Sequence, residues 1–166
     1  TGTGTNPTLN VTLGSVNDAA EAVITPTMNG VQTVNVQVTG STVQGINFQD
    51  STGLENLNVT RITSNNPTIT FNELQASVDN MSLSNSTNTG NVTFAHKEEV
   101  LTGTADTLAF GVTNARVNAL TLSEGTDGGA DAGYYFETIN MTSTGTNDLG
   151  AVTIQANGRE DALNSL

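Results

Sequence analysis

The chain has 166 residues, enough for one domain, with 16 Asp and Glu against 4 Lys and Arg, a formal net charge of −12 and a pI near 4.1. That balance excludes nucleic acid and anionic membrane surfaces as natural partners, because both are held through Lys and Arg, and it favours cations or a basic protein face. Only 12% of residues are charged, Cys and Trp are absent, and Thr and Asn make up about 30%, a mixture suited to short strands joined by tight turns.

In chain order, Thr1-Gly-Thr-Gly-Thr5 offers no initiator Met and no leader-like apolar segment. The chain is therefore expected to be a single domain over residues 1–166, cut from a longer secreted surface protein. Asn6-Pro7 sets an extended entry to the first apolar–polar–apolar triplet, Leu9-Asn-Val11. Residues 17–24 break the pattern and read as a helical turn or an inserted loop. Val31-Gln-Thr-Val34-Asn-Val36 then introduces a phrase: apolar, two variable positions, apolar, polar, apolar. It returns as Leu54-Glu-Asn-Leu57-Asn-Val59, Val78-Asp-Asn-Met81-Ser-Leu83, Val117-Asn-Ala-Leu120-Thr-Leu122 and Phe136-Glu-Thr-Ile139-Asn-Met141. Between these phrases stand Val43 to Phe48, Ile69-Thr-Phe71, Val92-Thr-Phe94, Leu108-Ala-Phe110 and finally Val152-Thr-Ile154.

Period-two alternation within a repeat of 20–24 residues predicts an all-β fold, a parallel two-sheet β-solenoid of about seven coils. Each coil lays one strand on each sheet, and the 39-residue gap before Val117 is read as two coils, with Leu108–Phe110 as the opposite-sheet triplet. A β-sandwich is the alternative, because it too uses short strands and Gly/Asn turns. The regular apolar spacing argues against disorder. No apolar run is long enough to cross a bilayer as a helix, so membrane insertion is not expected.

The site candidate is the acidic Gly-rich loop Glu124-Gly-Thr-Asp127-Gly-Gly-Ala-Asp131-Ala-Gly133. Calcium requires several hard oxygen ligands, and Glu124, Asp127 and Asp131, with carbonyls freed by the glycines, could supply them. Gly128-Gly129-Ala-Asp131 resembles the nonapeptide of calcium-binding β-rolls, although it lacks one Gly and does not repeat. The bland reading is a solvated turn. Asp50, Asp106 and Asp148 are lesser turn candidates. His96-Lys-Glu-Glu-Val100 reads as a solvated bulge, not as an acid–base pair. No Cys nucleophile, G-x-S-x-G, Walker-type loop or His-rich cluster occurs, so no enzyme activity is expected. A β-helix polysaccharide-degrading enzyme is the least favoured reading, since the aromatic platform and catalytic row it needs are missing. Six Asn-x-Ser/Thr sequons occur, at Asn10, Asn58, Asn80, Asn85, Asn91 and Asn140; in four of them, Asn10, Asn58, Asn91 and Asn140, the residue between Asn and Thr is an apolar strand residue, so the alternation itself explains the pattern.

The phrases at Val31–Val36, Gly53–Thr60 and Phe136–Thr142, with Gly103-Thr-Ala-Asp-Thr-Leu108, resemble the body of bacterial surface-layer proteins. These are the acidic, cysteine-free, type I-secreted, calcium-dependent coats of Gram-negative cells; related surface adhesins share the texture. The resemblance covers most of residues 28–156. It implies an extracellular location at the cell surface, calcium, and self-association into a lattice or filament. An adhesin stalk or a module that binds cell-surface polysaccharide or protein is the second reading.

Overall fold

The computed structural model describes residues 5–14, 21–63, 67–87, 90–97, 100–101, 105–124 and 136–155. Among them run fourteen strands and no helix: β1 (Thr8–Leu13), β2 (Ala22–Ile24), β3 (Met28–Asn29), β4 (Thr33–Val38), β5 (Gln44–Asn47), β6 (Ser51–Thr52) and β7 (Asn56–Ile62). There follow β8 (Ile69–Leu74), β9 (Asn80–Thr87), β10 (Asn91–His96), β11 (Thr107–Arg116), β12 (Ala119–Glu124), β13 (Thr138–Thr144) and β14 (Ala151–Gln155). Sheet A has the order β1-β4-β7-β9-β11-β13, sheet B the order β2-β5-β8-β10-β12-β14, and β3 and β6 pair separately. Every strand pairing is parallel. The chain is a parallel β-solenoid. A β-sandwich, built from antiparallel sheets, is excluded by that pairing.

The coil length departs from expectation. Thr8 pairs with Thr33, Thr33 with Asn56, and Asn56 with Asn80, which gives steps of 23 to 25 residues. Then Asn80 pairs with Ala109 and Thr107 with Thr138, so the steps lengthen to 29 and 31. The 39-residue gap is thus not two coils. Leu108–Phe110 belongs to β11 on sheet A, and Val117–Leu122 leads into β12 on sheet B, the reverse of their expected sheets. Six strands stand in each large sheet where about seven coils were expected. Ala22–Ile24 is a strand, not a helical turn, while residues 15–20 lie outside the described segments.

Alternation sorts side chains by face, interrupted by register shifts after Val36 in β4 and after Phe94 in β10. The inward column Leu9-Val34-Leu57-Met81-Phe110-Met141 on sheet A faces Ile24-Ile46-Phe71-Phe94-Leu122-Ile154 on sheet B. Phe94 joins the two sheets: it stacks on Phe71 at 5.1 Å and meets Phe110 edge-on at 5.4 Å. All three rings are buried.

The outward column of sheet A is Asn10-Asn35-Asn58-Ser82-Gly111-Thr142. Asn35 Nδ2 donates to Asn10 Oδ1 at 2.9 Å, Asn58 Nδ2 to Asn35 Oδ1 at 3.0 Å, and Ser82 Oγ to Asn58 Oδ1 at 2.8 Å. These amides satisfy one another coil by coil, so sequon asparagines such as Asn10 and Asn58 already have a structural role. At the far end of β9 and β11, Asn85 and Asn114 turn the strands with φ of 50° and 49°. Asn tolerates this left-handed conformation better than most residues, and Gly145 adopts it against Asn114 in the next coil.

Candidate functional site

Glu124 is the last residue of β12, and its backbone pairs in parallel with His96. Asp127 and Asp131 lie outside the described residues. Of the lesser candidates, Asp50 sits on an exposed turn after β5. Asp148 pairs with Arg116 at 3.8 Å with both side chains well exposed, a contact that adds little stability.

The fold gathers a different set of acids. Glu55, Asp79, Asp106 and Glu137 each stand immediately before a sheet-A strand: β7, β9, β11 and β13. The strand register sets them in two pairs, Glu55 level with Asp79 and Asp106 level with Glu137, while Asp79 is level with Leu108 and not with Asp106. The first pair is anchored locally, since Gln32 Nε2 donates to Glu55 Oε1 at 3.1 Å and Asn80 Nδ2 to Asp79 Oδ1 at 2.5 Å. Asp106 and Glu137 interlock across one coil. The Asp106 N–H donates to Glu137 Oε2 at 2.7 Å, and the Glu137 N–H donates back to the Asp106 carbonyl at 3.1 Å. Asp106 Oδ2 is buried and has no hydrogen-bond partner. Burial, and then the neighbouring Glu137 charge, push the Asp106 carboxyl above its ordinary value. Chemically this pair is a place for a shared proton, or for two hard oxygens on a divalent cation. Two carboxylates make an incomplete shell: among the described residues no group of three His, Cys, Asp or Glu is placed to hold a metal.

A signal for these acids exists in the sequence. Glu55, Asp79 and Glu137 occupy the second position of three of the five repeated phrases, where the other two carry Gln32 and Asn118.

His96 is not the solvated bulge that its charged neighbours suggested. It is 1% exposed at the end of β10, with Nε2 2.9 Å from the Val78 carbonyl and its ring edge-on to Phe136 at 4.8 Å. A carbonyl can only accept, so Nε2 carries the proton of a neutral ring. Burial pushes the His96 pKa down to about 4, with the Val78 hydrogen bond opposing the shift. Lys97, one residue on, is exposed. His96 thus holds the core closed and is remote in character from a solvent-facing acid–base pair.

A groove of about 370 Å³ lies on the corner of the first coils, lined by Thr5, Asn6, Pro7, Gly30, Gln32, Gly53 and Glu55. Gly30 and Gly53, both at positive φ, stack so closely that a Cβ on Gly53 would lie 3.2 Å from the Gly30 Cα. The groove owes its floor to these glycines.

The chain matches no protein-family model, no curated protein and no solved structure. No helix among the described residues is long and apolar enough to cross a membrane.

Proposed function

We propose that this chain is a non-catalytic, architectural module of an extracellular surface layer, one that associates with copies of itself. The observation that carries the reading is the separation of carboxylates from sheet A. Sheet A presents outward columns of Thr, Asn, Ser and Gly, with Arg61 and Arg116 the charged residues on its strands, whereas sheet B carries Glu73 on β8 and Glu124 at the end of β12 and the other described carboxylates stand at corners and turns. One face without carboxylates allows a chain of charge −12 to meet its own copies with little carboxylate repulsion there. The interlocked corner pair of Asp106 and Glu137 is where a divalent cation would relieve what repulsion remains. The loop acids Glu124, Asp127 and Asp131 remain proposed calcium ligands on their chemistry.

The test is a calcium titration of chelator-stripped protein, following thermal unfolding and light scattering together. Calcium bound only by the folded form raises the melting temperature by mass action. A rise, with scattering that grows with concentration, supports the reading. A chain that stays monomeric at high concentration, with and without calcium, sinks it.

A second reading, an adhesin or polysaccharide-binding module, draws on the groove beside Gln32 and Glu55. It predicts binding to a neutral glycan that is lost on Gln32→Ala, with the melting temperature unchanged.

A further inference from the structure

Charge in this fold has a direction. The sheet-A strands all run parallel, so their starts line one edge of the solenoid and their ends line the other. Glu55, Asp79, Asp106 and Glu137 stand at the starts, in their two pairs. The sheet-B strands finish at this edge, where the chain turns into its next sheet-A strand, and β8 brings Glu73 there. The arginines lie at the opposite edge, Arg61 near the end of β7 and Arg116 at the end of β11. No other charged residue lies on a sheet-A strand.

Few charges break this division. Among the described residues Lys97 stands at the acid edge, and Glu21 and Asp148 at the arginine edge. Asp148 is 3.8 Å from Arg116, whereas Arg61 is exposed and forms no ion pair among the described residues. Strands β7 and β11 thus each run from a carboxylate to a guanidinium, Glu55 to Arg61 and Asp106 to Arg116. At about 3.3 Å per residue these groups are roughly 20 Å apart or more, too far to meet within one copy. A second copy set alongside, strand end to strand start, brings opposite charges together at the seam.

We infer that the arginine edge of this chain docks on the acid edge of a second copy, Arg61 and Arg116 meeting the carboxylates at the strand starts. The two patches differ, so the contact repeats without closing and sets copies in a row at right angles to the solenoid axis. Exposed ion pairs add little to affinity but choose partner and register, and here they disfavour acid edge against acid edge. The contact runs along the flank of the stack and needs no free end strand. The inference rests on the self-assembly reading and adds a lateral contact to the sheet-A face.

Two double variants of the 166-residue chain test the contact. Arg61→Lys/Arg116→Lys keeps the charge, and Arg61→Glu/Arg116→Glu reverses it. Both arginines are exposed, so an unchanged melting temperature checks the fold of each variant. In sedimentation at high concentration, the native chain and the lysine variant should associate, less so as salt rises, and the glutamate variant should stay monomeric. A carbodiimide, which joins an amine to a carboxylate without a spacer, should then link an introduced lysine to Glu55, Glu73, Asp79, Asp106 or Glu137. In a mixture of isotope-labelled and unlabelled chains, linked peptides of mixed label show that the link is between copies. A glutamate variant that still associates, or links between copies that fall on other carboxylates, would overturn the edge contact and leave the self-assembly reading standing. A native chain that stays monomeric, with and without calcium, would overturn both.

Discussion

At the residue scale, His96 and two glycines show how much one position can govern. The folded pKa of His96, about 4, lies below its ordinary 6.5, so the folded state binds fewer protons than the unfolded chain between those values. The contribution is complete above pH 6.5 and is lost as pH falls toward 4. It amounts to about 3 kcal/mol in all. Asp106 works in the opposite sense, since its raised carboxyl takes up a proton more readily folded than unfolded, and acidification through the carboxylate range relieves it. Below pH 6.5 the two groups oppose one another, and the histidine's loss is what a fall in stability reports. Thermal melts below pH 6.5 should show a falling melting temperature in the native chain. His96→Leu should be less stable at pH 7, because the Val78 carbonyl loses its partner, and should flatten the profile. The glycines divide. Gly150 has φ of 56°, and a Cβ there would lie 2.0 Å from the Asn118 carbonyl oxygen, so Gly150→Ala should destabilise by more than about 1 kcal/mol. At Gly111 the nearest atoms to an added Cβ are 3.7 Å away and φ is ordinary. Gly111→Ala should therefore stabilise by about 0.4–1 kcal/mol, chiefly by restricting the unfolded chain. Paired denaturant midpoints decide both.

At the scale of elements, the ladder and the aromatic stack do different work. Asn58 both donates to Asn35 and accepts from Ser82, so Asn58→Ala should cost about 1–3 kcal/mol. A double-mutant cycle with Asn35 should show a non-zero coupling. Phe94 touches aromatic rings on both sheets, and Phe94→Ala should cost about 3–5 kcal/mol, enough to unfold a marginal domain. The sequence made the strands legible because alternation dictates which side chains turn inward, and that is a local property. It did not say to which sheet a phrase belongs. The leading apolar residue of each phrase, such as Leu54, Val78, Val117 or Phe136, is a buried corner filler before a strand, and both sheets use that arrangement. Val117 was consequently placed on the wrong sheet and the coil length misjudged, since nothing in the phrase reports how many residues the next corner holds. The candidate site was less legible still. Asp106 and Glu137 are 31 residues apart in sequence, and only the stacking of coils makes them neighbours. His96 was misread because its charged sequence neighbours say nothing about the interior that a β-strand end can reach.

For the whole molecule, each coil touches chiefly the one before and the one after, so stability is a sum of neighbouring interfaces. Hydrogen exchange should accordingly be slowest in β7 to β10, at the middle of the stack, and fastest in β1, β2 and β14 in the isolated chain. The unequal coil lengths, 23 to 25 residues early and 29 to 31 late, are absorbed at corners without disturbing the columns. The same series of weakly coupled rungs has a mechanical meaning. Tension applied across the stack from β1 to β14 loads one interface at a time, as in opening a zip, instead of shearing a whole sheet. Stretched in a force instrument, the chain should yield in successive small drops. An early coil should release about 80 Å of slack and a late one about 100 Å, from the reach of an extended chain. A module that gives way rung by rung, and re-forms the same way, lengthens under load before it breaks.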